Sequence, residues 1–429
     1  MDTIFALSSG ALPAGIAVVR LSGAAAFDAV RQLAGSLPAP RRASLRALRD
    51  PADGSLLDRA LVLVFPGQRS ATGEDLAELH LHGGRAVVRA VEAVLGQMPG
   101  LRLAEAGEFT RRALLNGRLD LSEAEGLGDL LIAETETQRR MALRSAEGAV
   151  RREVDGWTRR LLMLAAQIEA MLDHADEDDV AGEADSLEAL RHAAGVLGAE
   201  VAEAAERPPV ERLRDGLRVV LAGPPNAGKS TLLNAMVERE AAITSPIAGT
   251  TRDRVEAPVM RGGIAYLLTD TAGLTHTPGD AIEEIGVARA QDAIDAADIL
   301  LWLGDMAPPE HPARLWLHTR ADLPERSDGG NKDLSLSAET GEGMHAFWAA
   351  LDALARTLLP APDMVALNRR QRELTARAAA ALGRAALQPD PLLFAEELRS
   401  AQRAFDGITG RAGVEDMMDA LFSKFCIGK

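Results

Sequence analysis

The run Gly223-Pro-Pro-Asn-Ala-Gly228-Lys229-Ser230 has the residue types and spacing to cradle a phosphate chain. Its glycines let successive backbone N–H groups curl around a β-phosphate, and a helix opening there adds the positive end of its dipole. Lys229 is spaced to reach the β and γ oxygens, and Ser230 offers a hydroxyl to Mg2+. Asn226, Ala227, Gly228 and Thr231 complete the loop that would hold a nucleotide. A purely structural glycine turn is the plain alternative. The apolar run 217–222 before the loop and the helical pattern after it favour the phosphate. Downstream, Asp270-Thr271-Ala272-Gly273 follows the strand-like run IAYLLTD, which puts Asp270 beside the Mg2+ and Gly273 near a γ-phosphate. Thr250 and Thr251, in IAGTTRD at 247–253, lie on a loop able to close over the nucleotide.

A second candidate is Cys426, in the terminal LFSKFCIGK and the single cysteine of 429 residues. Three readings compete: an apolar filler, a lipid attachment site and a reactive thiol. CIGK has the length of a prenylation box, but Gly428 is a poor aliphatic and Lys429 an unusual last residue, which argues against the lipid. A lone cysteine is more often an inert small hydrophobe than a reactive group. Two features favour the thiol. A filler gains little on a short tail, and a nearby Lys429 would favour thiolate.

A chain of this length exceeds one hydrophobic core and divides into several domains. Aromatics make up 3% against 47% hydrophobic residues, so Ala/Leu/Val-rich, largely helical cores are expected. One cysteine excludes an internal disulfide framework and fits a reducing cytoplasm. The start MDTIFALSSG lacks a basic, then apolar, leader. No stretch approaches ~18 uninterrupted apolar residues, as a membrane span would need. A formal net charge of −16 disfavours broad, unaided coating of nucleic acid, so any such contact is local or runs through a partner.

Residues 1–118 read as mixed α/β. GIAVVRLSG and ALVLVF are β-rich runs, LAELHLH alternates like a half-buried strand, and GRAVVRAVEAVLGQM has helical spacing. Residues 119–212 repeat apolar positions at three- and four-residue intervals and read as helical. The acidic run DHADEDDV within them lacks calcium-loop spacing and reads as a solvated turn. Residues 213–358 alternate strands with helices, which predicts a doubly wound parallel sheet. Residues 359–429 turn helical again. The expected fold is therefore a multidomain α/β plus all-α chain, with a helical domain interrupted by an inserted P-loop domain. His80 and His82, two apart on one strand face, have metal-compatible spacing but no evident third ligand, and packing or ligand contacts are preferred.

The order of the phosphate loop, GTTRD and DTAG resembles the small GTPases, and within them the bacterial translation-related branch. Guanine selection there uses N-K-x-D. The matching strand ARLWLH is followed instead by Thr319-Arg320-Ala321-Asp322. Asp322 is kept to accept from the base and Arg320 can lie over it, but Thr319 lacks the two-ended amide. Ser337 and Ala338, in LSAE, match the later guanine-contacting loop. GTP is the expected nucleotide, with weaker affinity from the departure, and an ATPase is the alternative. Leu274 follows DTAG, so no glutamine orients the attacking water, and Glu283 in DAIEEIG is the preferred group for that role. Asn226 is read either as a turn residue or as a ligand for a monovalent cation that offsets phosphate charge.

Over essentially its whole length the chain resembles the MnmE (TrmE) family of tRNA-modification GTPases. The marks are GIAVVRLSG, TGEDLAELHLHGG, GEFTRRALLNGRLDLSEAEGL, GPPNAGKST, GTTRD, DTAG and FCIGK. The resemblance implies a tetrahydrofolate-binding domain over 1–118, a helical domain in two parts, 119–212 and 359–429, and an inserted Ras-like G domain over 213–358. It implies a homodimer that works with the flavoprotein MnmG (GidA), which carries FAD, in a heterotetramer or larger complex. Together they would install an aminomethyl or carboxymethylaminomethyl group at C5 of wobble uridine in certain tRNAs. The one-carbon unit would come from 5,10-methylenetetrahydrofolate or a formyl analogue. GTP hydrolysis would be potassium-stimulated, with K+ contacts from Asn226, Ser245, Ile247 and Thr250, Ser245 also lying in the GTP set, and Mg2+ held by Ser230 and Thr251. Folate contacts carried over are Arg20, Glu78, Arg118 (where lysine is common) and Lys429, and Cys426 becomes a catalytic thiol. Two rivals stay open. They are a GTPase switch for RNA assembly, which would want a basic appendage, and a folate-dependent aminomethyltransferase-like enzyme in which the nucleotide is only regulatory.

Overall fold

The structure, a computed structural model, describes residues 2–174, 180–239, 256–271, 290–323, 326, 330–361, 364–411, 422 and 428. The chain forms two compact units, one of residues 1–128 with 406–429 and the other of 129–405.

The first unit is built on strands β1 (Thr3–Leu7), β2 (Ile16–Ser22), β3 (Ser44–Arg49), β4 (Leu56–Phe65), β5 (Leu76–His82) and β6 (Leu101–Leu103), with helices α1 (Ala26–Ala34), α2 (Arg85–Gln97) and α3 (Glu108–Leu115). The six strands pair in the order β3-β4-β5-β2-β1-β6. Alternation in LAELHLH sends Leu79 and Leu81 into a core with Val19, Leu21, Val30, Leu33, Val91 and Leu95. The same period of two leaves Glu78 and His80 on the other face. The β2/β5 register sets Arg20 directly opposite Glu78. Helix α3 carries a cation inward: Arg112 is only 6% exposed. It donates to Asp2 Oδ1 and Glu108 Oε1, both at 3.0 Å, and to Glu74 Oε2 at 3.1 Å. A charge so buried is tolerable because carboxylates surround it.

Helix α4 (Leu121–Ile132) follows, then α5 (Glu136–Ala146), α6 (Ala149–His174), α7 (Val180–Glu206) and α8 (Glu211–Arg214). Helix α5 begins with a capping box in which Thr135 accepts from the Gln138 N–H. The Gln138 amide then reaches the Leu213 carbonyl at 2.8 Å, tying this helix to the approach of the second sheet.

That sheet comprises β7 (Leu217–Ala222), β8 (Glu256–Arg261), β9 (Ile264–Asp270), β10 (Ile299–Trp302), β11 (Arg314–His318) and β12 (Leu334–Ser335), ordered β12-β11-β10-β7-β9-β8. Every neighbouring pair is parallel except β8/β9 at the edge. Helices α9 (Lys229–Arg239) and α10 (Met344–Leu358) cover it, burying Leu232, Met236, Phe347, Trp348 and Leu351 on Val219, Leu221, Tyr266 and Leu268. This is the doubly wound parallel arrangement expected from alternating strands and helices. Helices α11 (Arg369–Leu387) and α12 (Pro391–Thr409) follow among the described residues. Glycines allow α7 to lie close on α11, where a Cβ at Gly198 would meet Leu382 Cβ at 3.1 Å.

Candidate functional site

Strand β7 ends in the phosphate loop, and α9 starts within it at Lys229. Gly223 (φ 146°) and Gly228 (φ 92°) take conformations that side chains disfavour, and a Cβ at Gly223 would come within 3.1 Å of the Gly304 amide nitrogen. Lys229 is 7% exposed, and its ammonium donates to the Gly223 and Pro224 carbonyls, both at 2.9 Å. Burial depresses its pKa, with the Asp270 carboxylate pulling the other way. The Ser230 hydroxyl donates to Asp270 Oδ2 at 2.5 Å, and the Thr271 hydroxyl donates to the Leu221 carbonyl at 3.0 Å. A hydroxyl and a carboxylate converging so closely form the oxygen donor pair that a Mg2+ ion takes, so these two residues fit that metal.

The loop after β11 docks on the phosphate loop. Thr319, 3% exposed, gives its hydroxyl proton to the Ala227 carbonyl at 2.6 Å, and Arg320 Nη1 donates to the Asn226 carbonyl at 3.0 Å. Asn226 and Arg320 both have φ 61°, a left-handed conformation uncommon for side-chain-bearing residues. The Ala321 amide donates to the Leu336 carbonyl at 3.2 Å, which binds this loop to the segment holding buried Ser337 and half-buried Ala338. Asp322 stands exposed at its end. The structure therefore brings Asn226, Ala227, Gly228, Lys229, Ser230, Asp270 and Thr271 together, with the 319–322 loop docked on them. Thr231 follows in the first turn of α9.

In the first unit, Arg20 donates to Glu78 Oε1 through Nη2 at 3.0 Å and Nε at 3.2 Å, across the strand register. The Arg20 guanidinium lies 5.7 Å from the Phe109 ring centroid, and His80 Nε2 is 3.3 Å from Glu78 Oε2. His82 turns instead to Asp58, with Nδ1 at 2.7 Å from Oδ1, so the two histidines serve different carboxylates. Arg118 is exposed, its Nε donating to the Ser70 carbonyl at 3.2 Å. A guanidinium–carboxylate pair and a further cation on one small domain suit a ligand with both a donor edge and carboxylates.

The end of the chain reaches the same unit. The Ser8 hydroxyl donates to the Gly428 carbonyl at 2.7 Å. Gly428 has φ 95°, and a Cβ there would sit 2.1 Å from the Leu7 carbonyl oxygen, so only glycine fits. Phe422 packs on Gly107 (φ 68°), where a Cβ would meet the Phe422 Cβ and carbonyl oxygen at 2.8 Å. Both anchors flank Cys426 in the sequence. Cys426 itself, Lys429, Ser245, Ile247, Thr250, Thr251, Ala272, Gly273, Glu283 and the run 175–179 lie outside the described residues. Sequence reasoning missed Ser8, Phe109, Gly107 and the Thr319–Ala227 bond. Of these only the glycine, in GEFTRR, carries a local signal.

A strand, a glycine-rich loop and a helix on a parallel sheet, with a buried lysine and a serine–aspartate pair, define a P-loop nucleotide-binding protein. Family models match in two places: the GTP-binding protein TrmE N-terminus over residues 3–118 and the MnmE helical domain over residues 121–426. The tRNA modification GTPase MnmE of Rhizorhabdus wittichii is 58% identical over all of this chain and 97% of its own length. The protein of the same name from Erythrobacter litoralis is 55% identical over the full length of both, and that of Novosphingobium aromaticivorans 54%. The chain belongs to the MnmE family of tRNA modification GTPases.

Proposed function

We propose that this chain is a GTP hydrolase that acts in tRNA modification, and that its nucleotide cycle drives chemistry at the wobble uridine. The observation that carries the reading is the phosphate loop, with Lys229 buried on its carbonyls and Ser230 bonded to Asp270, in a chain similar over its whole length to tRNA modification GTPases. Asn226, Ala227, Gly228, Lys229, Ser230 and Thr231 bind the phosphates. Thr250, Thr251 and the 270–273 run close on the γ-phosphate, and Asp322, Ser337 and Ala338 read the base. Ser230 would hold Mg2+ with Thr251, with Asp270 beside it, and the ion would supply positive charge to the phosphates. Asn226, with Ser245, Ile247 and Thr250, would hold K+, which would supply a second positive charge, and Glu283 orients the attacking water.

Arg20, Glu78, Arg118 and Lys429 hold a folate one-carbon donor in the domain of residues 1–118. The Glu78 carboxylate meets the pterin's donor edge and the cations meet the glutamyl tail. Cys426 serves as a thiolate for the step at C5 of uridine, which leaves an aminomethyl or carboxymethylaminomethyl group. Domains of 119–212 and 359–429 carry motion from a G domain of 213–358. The working assembly is a cytoplasmic homodimer with the FAD-bearing MnmG partner. The test is mass spectrometry of wobble nucleosides from cells lacking this chain, then from cells carrying Cys426→Ser. Unmodified uridine is expected in both, with GTP hydrolysis intact in the variant. Normal modification in the cells lacking the chain would reject the reading.

A further inference from the structure

We infer that this chain selects guanine without reading its N7 atom, because Thr319 spends its single donor on the phosphate loop. The inference rests on the reading of the site as a guanine-nucleotide site and concerns how that site discriminates.

A side-chain amide at position 319 would carry two N–H protons, enough for the loop and for an acceptor on the base at once. A threonine hydroxyl carries one. That proton goes to the Ala227 carbonyl at 2.6 Å, between two residues each 3% exposed. Turning it toward a base would leave a buried carbonyl without this partner, which costs about as much as the new bond returns. Guanine presents N7 and O6 as acceptors on one edge. The Thr319 oxygen has no proton left for either, although its lone pairs remain. Arg320 is likewise turned to the loop, Nη1 lying on the Asn226 carbonyl at 3.0 Å with the backbone held at φ 61°. Recognition then falls on the opposite edge, where the exposed Asp322 carboxylate accepts from N–H donors. Thr319 is thus a positioning residue that holds the base-reading loop on the phosphate loop.

The probe is 7-deaza-GDP, in which N7 is replaced by C–H, compared with GDP by calorimetric titration of the full chain. Affinities within about twofold of each other are expected, since no protein hydrogen bond is lost. A chain that donated to N7 would lose roughly five- to tenfold, the worth of one such bond, and that result overturns the inference. Thr319→Val removes the proton while keeping the shape, so it should weaken GDP and 7-deaza-GDP by the same factor, and Thr319→Ser should restore both. Unequal weakening by valine also overturns it. Thr319→Asn supplies the second donor, and GDP is then expected to gain over 7-deaza-GDP. ADP binding as tightly as GDP would instead refute the guanine reading and the inference with it, a result separate from discrimination at N7.

Discussion

Gly428→Ala tests whether the end of the chain is held by geometry rather than by loose contact. The new Cβ would sit 2.1 Å from the Leu7 carbonyl oxygen, 2.9 Å from its carbon and 3.0 Å from Ser8 Cα, all backbone of a sheet strand and its exit. None of these atoms can swing aside as a side chain would. The backbone at φ 95° adds about 1–3 kcal/mol for any residue bearing a Cβ. Relieving the clash pulls the Gly428 carbonyl off the Ser8 hydroxyl, at 2.7 Å, for about 1 kcal/mol more. The docked tail is therefore disfavoured by about 2–4 kcal/mol, or roughly 30- to 1,000-fold in population. Cys426, two residues earlier, is the chain's single cysteine, so maleimide labelling reports on the tail with no background. The labelling rate is expected to differ from the parent's in Gly428→Ala, and by a smaller factor in Ser8→Ala, which loses only the hydrogen bond, about fivefold in population. GTP hydrolysis should stay at the parent rate in both. Parent-like labelling in Gly428→Ala would refute the argument that this glycine is required by the Leu7 carbonyl.

Three further outcomes follow from the charge arrangements. Arg112→Met strips the buried Glu108 and half-buried Glu74 carboxylates of a cation and should lower unfolding stability by about 3 kcal/mol in thermal or denaturant melts. Burial pushes the Glu108 carboxyl up, but Arg102, the Glu105 amide and Arg112 more than reverse this and leave it below the usual glutamate range. Its stabilisation is thus complete above that range and is lost as pH falls through the folded value, so the acid limb of the parent's stability curve should flatten in Arg112→Met. At the phosphate loop, burial depresses the Lys229 ammonium, and phosphate oxygens would raise it again. Nucleotide binding at alkaline pH below the ordinary lysine range should therefore take up protons. Calorimetry in buffers of different ionisation enthalpy measures this, and Lys229→Met should abolish the uptake.

The phosphate loop was legible because its chemistry is written in eight consecutive residues, with a strand before and a helix after. The two faces of β5 were nearly as legible. Alternation in LAELHLH assigns Leu79 and Leu81 to the core and so leaves Glu78 on the face where Arg20 arrives. What stayed hidden depended on partners remote in sequence. Arg112, in GEFTRRALLNG, looks like any exposed helix cation, and only carboxylates from residues 2, 74 and 108 make its burial possible. The glycine of CIGK argued against a lipid site when read locally. Its physical reason is a carbonyl at Leu7, with Ser8 and Gly428 separated by 420 positions. Thr319 shows a third kind of concealment. Its type signalled a departure from N-K-x-D, yet whether its one proton serves the base or the loop is decided by Ala227, 92 residues away. Periodicity reports which face a side chain takes, because that depends on its neighbours in sequence. Which group then uses its proton depends on the fold, which here brings the Ala227 carbonyl to the Thr319 hydroxyl.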